Sequence, residues 1–218
     1  MTSPATPTRY GSIAFTPPVA KRQEAAGSIY TYGRFRADGE DTGPAEGLDG
    51  RLRALIEAAD SFFIATVTPD GWPYLQHRGG PPGFVRVLDN QTIAFAEYPG
   101  NQQFVTIGNL DADDRTALIF VDYPTRTRVK VFGRATVVER TDDPAFVDLV
   151  TDGTQARTDR AMVIRVEASD INCRRNITPK YGERAIQERI RLARAQLLEE
   201  ITLLRQRNRE LEMRLGGY

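Results

Sequence analysis

Residues 76–87 read QHRGGPPGFVRV, with Arg78 and Arg86 on either side of a Gly79-Gly80-Pro81-Pro82-Gly83 turn. Five consecutive residues without a long side chain leave an open backbone, and glycine lets a ligand approach the main chain closely. An arginine at such an edge is a candidate anion anchor; the same stretch equally reads as a hairpin connection rich in Gly and Pro for conformational reasons alone. Before it, residues 62–68 and 73–79 alternate with a period of two around Pro69-Asp70-Gly71, which predicts a hairpin. After it, strands are predicted over 84–88, 92–97, 116–121, 126–139 and 161–169, interrupted by helices over roughly 101–110 and 144–150. Many short strands with turn signals at this spacing favour an antiparallel barrel or sandwich.

The chain has 218 residues, enough for one sizeable domain with extensions. Lys plus Arg and Asp plus Glu both number 29, so no global field points to nucleic acid, and any anion site must be local. No apolar run approaches the ~20 residues that span a bilayer, and the first residues, MTSPATPTRYGS, lack the apolar core of a signal peptide. A cytoplasmic location is therefore expected. Cys173 is the single cysteine and His77 the single histidine, which excludes an intramolecular disulfide, a CxxC pair and a Cys/His zinc cluster. No GxSxG occurs. Demanding chemistry would come from a cofactor, and no side chain stands out as an acid or base.

Three segments are expected: an N-terminal extension over 1–50, a barrel domain over 51–182 and a C-terminal helix over 183–218. The first 15 or so residues, rich in Pro, Thr and Ala, are expected to be mobile until something docks them. Thr16-Pro17-Pro18 reads as an N-cap and first turn of a helix that runs through Val19 to Ala26 and stops at Gly27. Residues 39–50 form a linker, and Leu52, Leu55, Ile56 and Ala59 recur at helical spacing. In the last segment Ile190, Leu197, Leu204 and Leu211 fall at d of a heptad, with Arg194, Ile201, Asn208 and Leu215 at a. Glu200 would meet Arg205, and Arg207 would meet Glu212, across a parallel pair. The helix either zips with a second copy or folds back on its own barrel, since Leu192, Leu198 and Leu203 add apolar surface outside the seam.

Side-chain alternation places Tyr74, Gln76 and Arg78 on one strand face, with His77 opposite. In the long strand Arg126, Arg128, Lys130 and Arg134 share a face with Phe132, while Val129, Val131, Gly133, Ala135 and Val137 form the core face. The cations are either a solvated face or an anion-binding strip. Tyr98-Pro99-Gly100-Asn101-Gln102-Gln103 ends a strand and opens a helix, with Asn101 as N-cap and Phe104, Ile107 and Leu110 expected to face the core. The amides of a first helical turn attract phosphate.

The runs TVTPDGWPYLQHRGGPPGFVRVLDNQT, AEYPGNQQFVTIGNL, DYPTRTRVKVFGRA and NCRRNITPKY together resemble the pyridoxamine 5'-phosphate oxidase-like family, and IAFTPPVAKRQEAAGS resembles the N-terminal extension of one bacterial branch. The resemblance, which does not extend to the last segment, implies an α+β, mainly antiparallel β fold: an FMN-binding split β-barrel with flanking helices, acting as a homodimer with FMN between subunits; the heptad pattern adds a long C-terminal helix. It implies cofactor contacts from Gln76, His77, Arg78, Gly79 and Gly80, from Asn101, Gln102 and Gln103, and from Arg126, Arg128 and Lys130, with Asn176 to Tyr181 near the flavin. The family often has Arg where this chain has Gln102, which removes a charge-assisted phosphate contact of ~1 to 2 kcal/mol. Ile171 stands where an aromatic residue is frequent, and Cys173 reads as packing rather than a redox thiol. The function implied is FMN-dependent electron or hydride transfer with a small-molecule redox partner. The alternatives are a non-catalytic flavin carrier or redox sensor, and a haem-binding barrel served by His77.

Overall fold

The computed structural model describes residues 7–36, 43–151, 158–172 and 175–215. Alternation at the start of the body forms the expected hairpin: β1 (Ser61–Val67) pairs with β2 (Pro73–Gly79), joined by a turn in which Gly71 has φ 86°. β3 (Val85–Val87), β4 (Thr92–Glu97), β5 (Arg115–Asp122), β6 (Thr127–Glu139) and β7 (Arg160–Asn172) complete one antiparallel sheet in the order β2-β1-β5-β6-β7-β4-β3. The sheet curls into a half-barrel of the split-barrel kind. Its inner face carries Phe62, Ile64, Phe95, Phe120, Val129 and Val131, all almost fully buried. Phe62 stacks on Phe120 at 4.9 Å and on Phe84 at 5.9 Å, and meets Phe95 edge-on at 5.1 Å, so one ring ties strands from both halves of the sheet.

Two helices close the apolar surface. α4 (Gly50–Glu57) is capped by the Asp49 carboxylate, which accepts from the Leu52 amide at 2.8 Å, and it buries Leu52 and Ile56 against the barrel. α6 (Pro144–Val150) starts at Asp143 and covers the outer face of β4 and β7, where Val147 and Val150 pack on Ala94 and Ala161. Small residues on those strands admit the helix.

A β-bulge between Phe132 and Gly133 leaves Glu167 of β7 without a partner in the ladder. Gly133 is needed there, because a Cβ would lie 2.7 Å from the Arg165 carbonyl oxygen. The bulged Glu167 anchors the N-terminal segment: its carboxylate accepts from Arg9 at 2.6 and 3.1 Å and from Arg134 at 3.3 Å. From residue 7 that segment is docked and forms α1 (Arg9–Ala14), α2 (Pro17–Ala25), α3 (Ile29–Tyr32) and a 3-10 turn at Gly33–Phe35, the condition under which the mobility expected up to about residue 15 ends; residues 1–6 lie outside the described residues. The reason is long-range pairing that composition does not reveal, including the Thr8 amide on the Phe35 carbonyl at 2.9 Å. Gly27 has φ 70° just beyond α2, as a helix stop requires, although the Thr16 side chain makes no cap bond.

The chain divides into two units, Met1–Ile177 and Thr178–Tyr218. The second holds α7 (Glu183–Leu215), whose Ile190, Leu197, Ile201, Leu204 and Leu211 are exposed. Among the described residues no helix is long and apolar enough to cross a membrane. Cys173 and residues 39–42 of the expected linker lie outside the described residues.

Candidate functional site

Curling brings β2, at one edge of the sheet, to the end of β4 near the other. Arg78 and Glu97 meet there in an ion pair of 3.0 Å, with side chains only 17% and 14% exposed. Beside them Gln76 accepts from the Thr106 hydroxyl at 3.1 Å and from the Tyr74 hydroxyl at 3.0 Å. The loop from Pro99 to Phe104 forms the rim, and Arg160 the far wall, its guanidinium held by Glu139 at 2.9 and 3.1 Å and lying 5.1 Å from the centre of the Phe104 ring. The enclosed volume is about 150 Å³. Sites for whole small molecules run to ~300–1,000 Å³, so this one is sized for a single phosphoryl-like group.

The rim differs from the expected helix start. α5 (Val105–Ala112) begins four residues after Asn101, with Phe104 at the N-cap position in a left-handed conformation of φ 54° and no side-chain cap. Asn101 instead accepts from the Gln103 amide at 3.3 Å, an Asx turn, and Gln102 is also left-handed at φ 57°. The later start rotates the buried stripe to Thr106, Asn109 and Leu110, so Phe104 is half exposed rather than in the core. It also leaves the first-turn amides of Val105, Thr106 and Ile107, which line the cavity, without intrahelical acceptors. Unpaired donors and the positive end of the helix dipole attract an anion.

The electrostatics are balanced rather than simply basic. Arg78 and Arg160 face Glu97 and Asp159. Burial pushes the Glu97 carboxyl above the ordinary carboxylate range, with Arg78 and Arg160 pulling the other way. Among the described residues the Arg78 Nε and the Glu97 Oε2 are buried without a hydrogen-bond partner. A guanidinium with a spare buried donor, next to an uncapped helix start, fits a phosphate.

Of the sequence-predicted residues, Gln76, Arg78, Asn101, Gln102 and Gln103 gather at this cavity. His77 lies on the opposite face of β2, 5.5 Å from the Phe63 ring. Gly79 ends β2 opposite Ser61, and Gly80 is pressed on Phe84, where a Cβ would come within 2.6 Å of the ring. Of the Gly-Pro turn, Gly80 is therefore packed, whereas Gly79 and Pro82 are exposed and Gly83 has open space beside it. Arg126 sits at φ 58° in the turn before β6, outside the strand, its amide donating to the Tyr123 carbonyl at 3.3 Å. Arg128 and Lys130 lie on the outer sheet face, because Val129 and Val131 point inward. The Arg128 Nε is buried without a partner among the described residues, and Lys130 Nζ is 3.5 Å from the Tyr10 hydroxyl. Sequence reasoning missed Glu97, Thr106 and Arg160. The strand order brings Glu97 and Arg160 to Arg78, and the start of α5 brings Thr106.

A family model for pyridoxamine 5'-phosphate oxidase matches residues 48–173, more than half of the chain. The chain belongs to the pyridoxamine 5'-phosphate oxidase family. Solved structures similar to it include HupZ from Group A Streptococcus, at 18% identity over 62% of this chain and 99% of that one, with a TM-score of 0.48. An FMN-binding protein from Syntrophomonas wolfei matches at 11% identity, 56% and 83% coverage and a TM-score of 0.43. A pyridoxamine 5'-phosphate oxidase-related, FMN-binding protein from Nostoc punctiforme matches at 13%, 55% and 76%, with a TM-score of 0.39. No curated protein sequence matches the chain.

Proposed function

We propose that this member of the pyridoxamine 5'-phosphate oxidase family binds FMN, with the phosphate in the Arg78 cavity, and serves as an FMN-dependent oxidoreductase for a small molecule. The observation that carries the proposal is the uncapped start of α5 facing a buried guanidinium that has an unused donor. Arg78 and Arg160 would balance the phosphate charge, the amides of Val105 and Thr106 would donate to its oxygens, and Gln102 would stand at the rim. Bound FMN supplies electron and hydride transfer; the chain supplies position, charge and exclusion of water.

A homodimer is part of the same proposal. Arg78 faces the inside of the sheet, while Arg128 and Lys130 face outside, so one ligand can meet both sets if a second copy contributes one of them. The outer face of the β1–β2 hairpin leaves Phe63, Trp72 and Leu75 exposed at 37%, 74% and 62%, an apolar surface suited to such a contact. The α7 seam, with Asn208 at a, would reinforce the pair.

His77, the only histidine, faces away from the cavity, and this favours a second reading in which the chain holds flavin as a carrier or redox sensor. Loading the purified protein with FMN, removing free ligand and recording the visible spectrum tests both readings; stopped-flow mixing with NADH and NADPH then separates them. Retained flavin that a donor reduces within seconds supports the enzyme, and retained flavin that resists both donors supports the carrier. Absence of retained flavin after loading contradicts both.

A further inference from the structure

A second, larger cavity of about 560 Å³ lies between the N-terminal segment and the outer face of β6 and β7, and it shares no residue with the Arg78 cavity. Its volume falls within the ~300–1,000 Å³ of sites that enclose a whole small molecule. The walls are aromatic: Tyr10, Phe15, Tyr32 and Phe35 line it. Tyr10 packs edge-on to Phe15 at 6.3 Å and tilted on Phe132 at 5.4 Å, and Phe15 meets Tyr32 at 6.0 Å. These rings come from separate turns of the segment, which is tied to the barrel by Arg9 on Glu167 and by Glu46, whose two oxygens accept from the Tyr10 and Ser169 amides at 3.3 Å each.

The floor is polar and under-used. Lys130 and Asp170 are directly paired in the β6–β7 register, yet form no ion pair within 4.0 Å. The Gln23 Oε1 lines the same space, buried and without a hydrogen-bond partner among the described residues. Asp170 is the lining carboxylate without a hydrogen-bond partner among the described residues, since Glu46 is taken up by the Tyr10 and Ser169 amides, and it faces the occupant opposite Lys130, with Arg128 nearby. A purely apolar occupant would leave the Gln23 oxygen and the Asp170 carboxylate unpaired, which costs free energy.

We infer that this cavity is a binding site for a planar heteroaromatic molecule, neutral or cationic, that lies against Tyr10, Phe15, Tyr32 and Phe35 and presents an N–H edge to Asp170 and Gln23. Burial raises the Asp170 carboxyl above its ordinary range, with Lys130 and Arg128 opposing; a donor edge would relieve that desolvation. Lys130 lines this cavity and is also among the residues that the proposed dimer would bring to FMN, so the site is assigned to the flavin-free chain.

The test is calorimetric titration of the full-length, flavin-free chain with 2-aminobenzimidazole, a planar ring with an N–H edge that matches a carboxylate, and with benzimidazole-2-carboxylate as the anionic counterpart. Saturable binding of the amine is expected, with the carboxylate about tenfold weaker or worse. Asp170→Asn and Gln23→Leu should each weaken the amine, the first by about tenfold, while Asp148→Asn, the same change at an exposed carboxylate that lines neither cavity, leaves it unchanged. Two variants at separate positions guard against a single folding defect, which thermal melting would reveal. No saturable binding by the parent chain overturns the inference. So does equal affinity for amine and carboxylate, or binding that Asp170→Asn leaves unchanged.

Discussion

Replacing Arg78 isolates the phosphate anchor, provided that its partner is dealt with at the same time. Arg78→Met alone would leave Glu97 buried with no opposite charge at 3.0 Å, and breaking such a pair destabilises by ~3 to 5 kcal/mol when the remaining group stays charged. Glu97 already takes up a proton more readily than an ordinary carboxylate because of burial, so part of that cost is relieved by protonation. A double-mutant cycle separates stability from binding. Glu97→Gln removes the carboxylate, and Arg78→Met on that background removes only the guanidinium. A charge-assisted hydrogen bond contributes ~1.5 to 3 kcal/mol, which at ~1.4 kcal/mol per tenfold is a loss of roughly 10- to 150-fold in FMN affinity. The assay is quenching of FMN fluorescence on titration with protein, with melting temperatures beside it. Arg78→Met/Glu97→Gln should melt higher than Arg78→Met and bind FMN at least about tenfold more weakly than Glu97→Gln. If the double variant binds within about threefold of Glu97→Gln, the guanidinium does not hold the phosphate and the reasoning fails.

The remaining predictions concern charge, packing and assembly. The Glu97 carboxyl is raised in the folded chain, so its neutral form is favoured at low pH and its charge repels phosphate as pH rises through the raised value. As pH rises above the ordinary carboxylate range, FMN affinity should fall more steeply in the parent than in Glu97→Gln, the phosphate's own ionisation near ~6 being common to both; parallel profiles would contradict this. Gly80→Ala places a Cβ 2.6 Å from the Phe84 ring, an overpacking of ~1 to 3 kcal/mol, and a calorimetric melt should fall by roughly 2 to 12 °C. Deleting everything after Gly182 should weaken self-association about tenfold or more in sedimentation, and an unchanged dissociation constant would count against pairing of α7.

Much of the barrel was legible because its causes are local. Alternation from Phe62 to Val67, the Asp70-Gly71 turn and the Val129, Val131, Ala135 stripe each depend on neighbours in sequence, and they form β1, the hairpin and the inner face of β6. The start of α5 was not legible, since Asn101 is a good cap by residue type and only the left-handed Gln102 and Phe104 show that the helix waits until Val105. The order of the N-terminal segment was hidden for a different reason. It depends on Glu167, which a bulge deep in the chain turns toward Arg9. At the candidate site, Gln76 and Arg78 were legible from strand alternation, whereas Glu97 and Arg160 join them only because the curled sheet carries β2 to the end of β4. Gly79 and Gly80 suggested an open surface by composition, yet the Phe84 ring fills the space beside Gly80.

The central claim is that a phosphate occupies the cavity formed by Arg78, Arg160 and the first turn of α5. Comparing FMN with riboflavin tests it most directly, because the two share the ring system and differ in the phosphate. Two or more charge-assisted contacts predict that FMN binds about a hundredfold or more tighter than riboflavin. Equal affinity for the two would show that the ring alone is recognised, and would contradict the account.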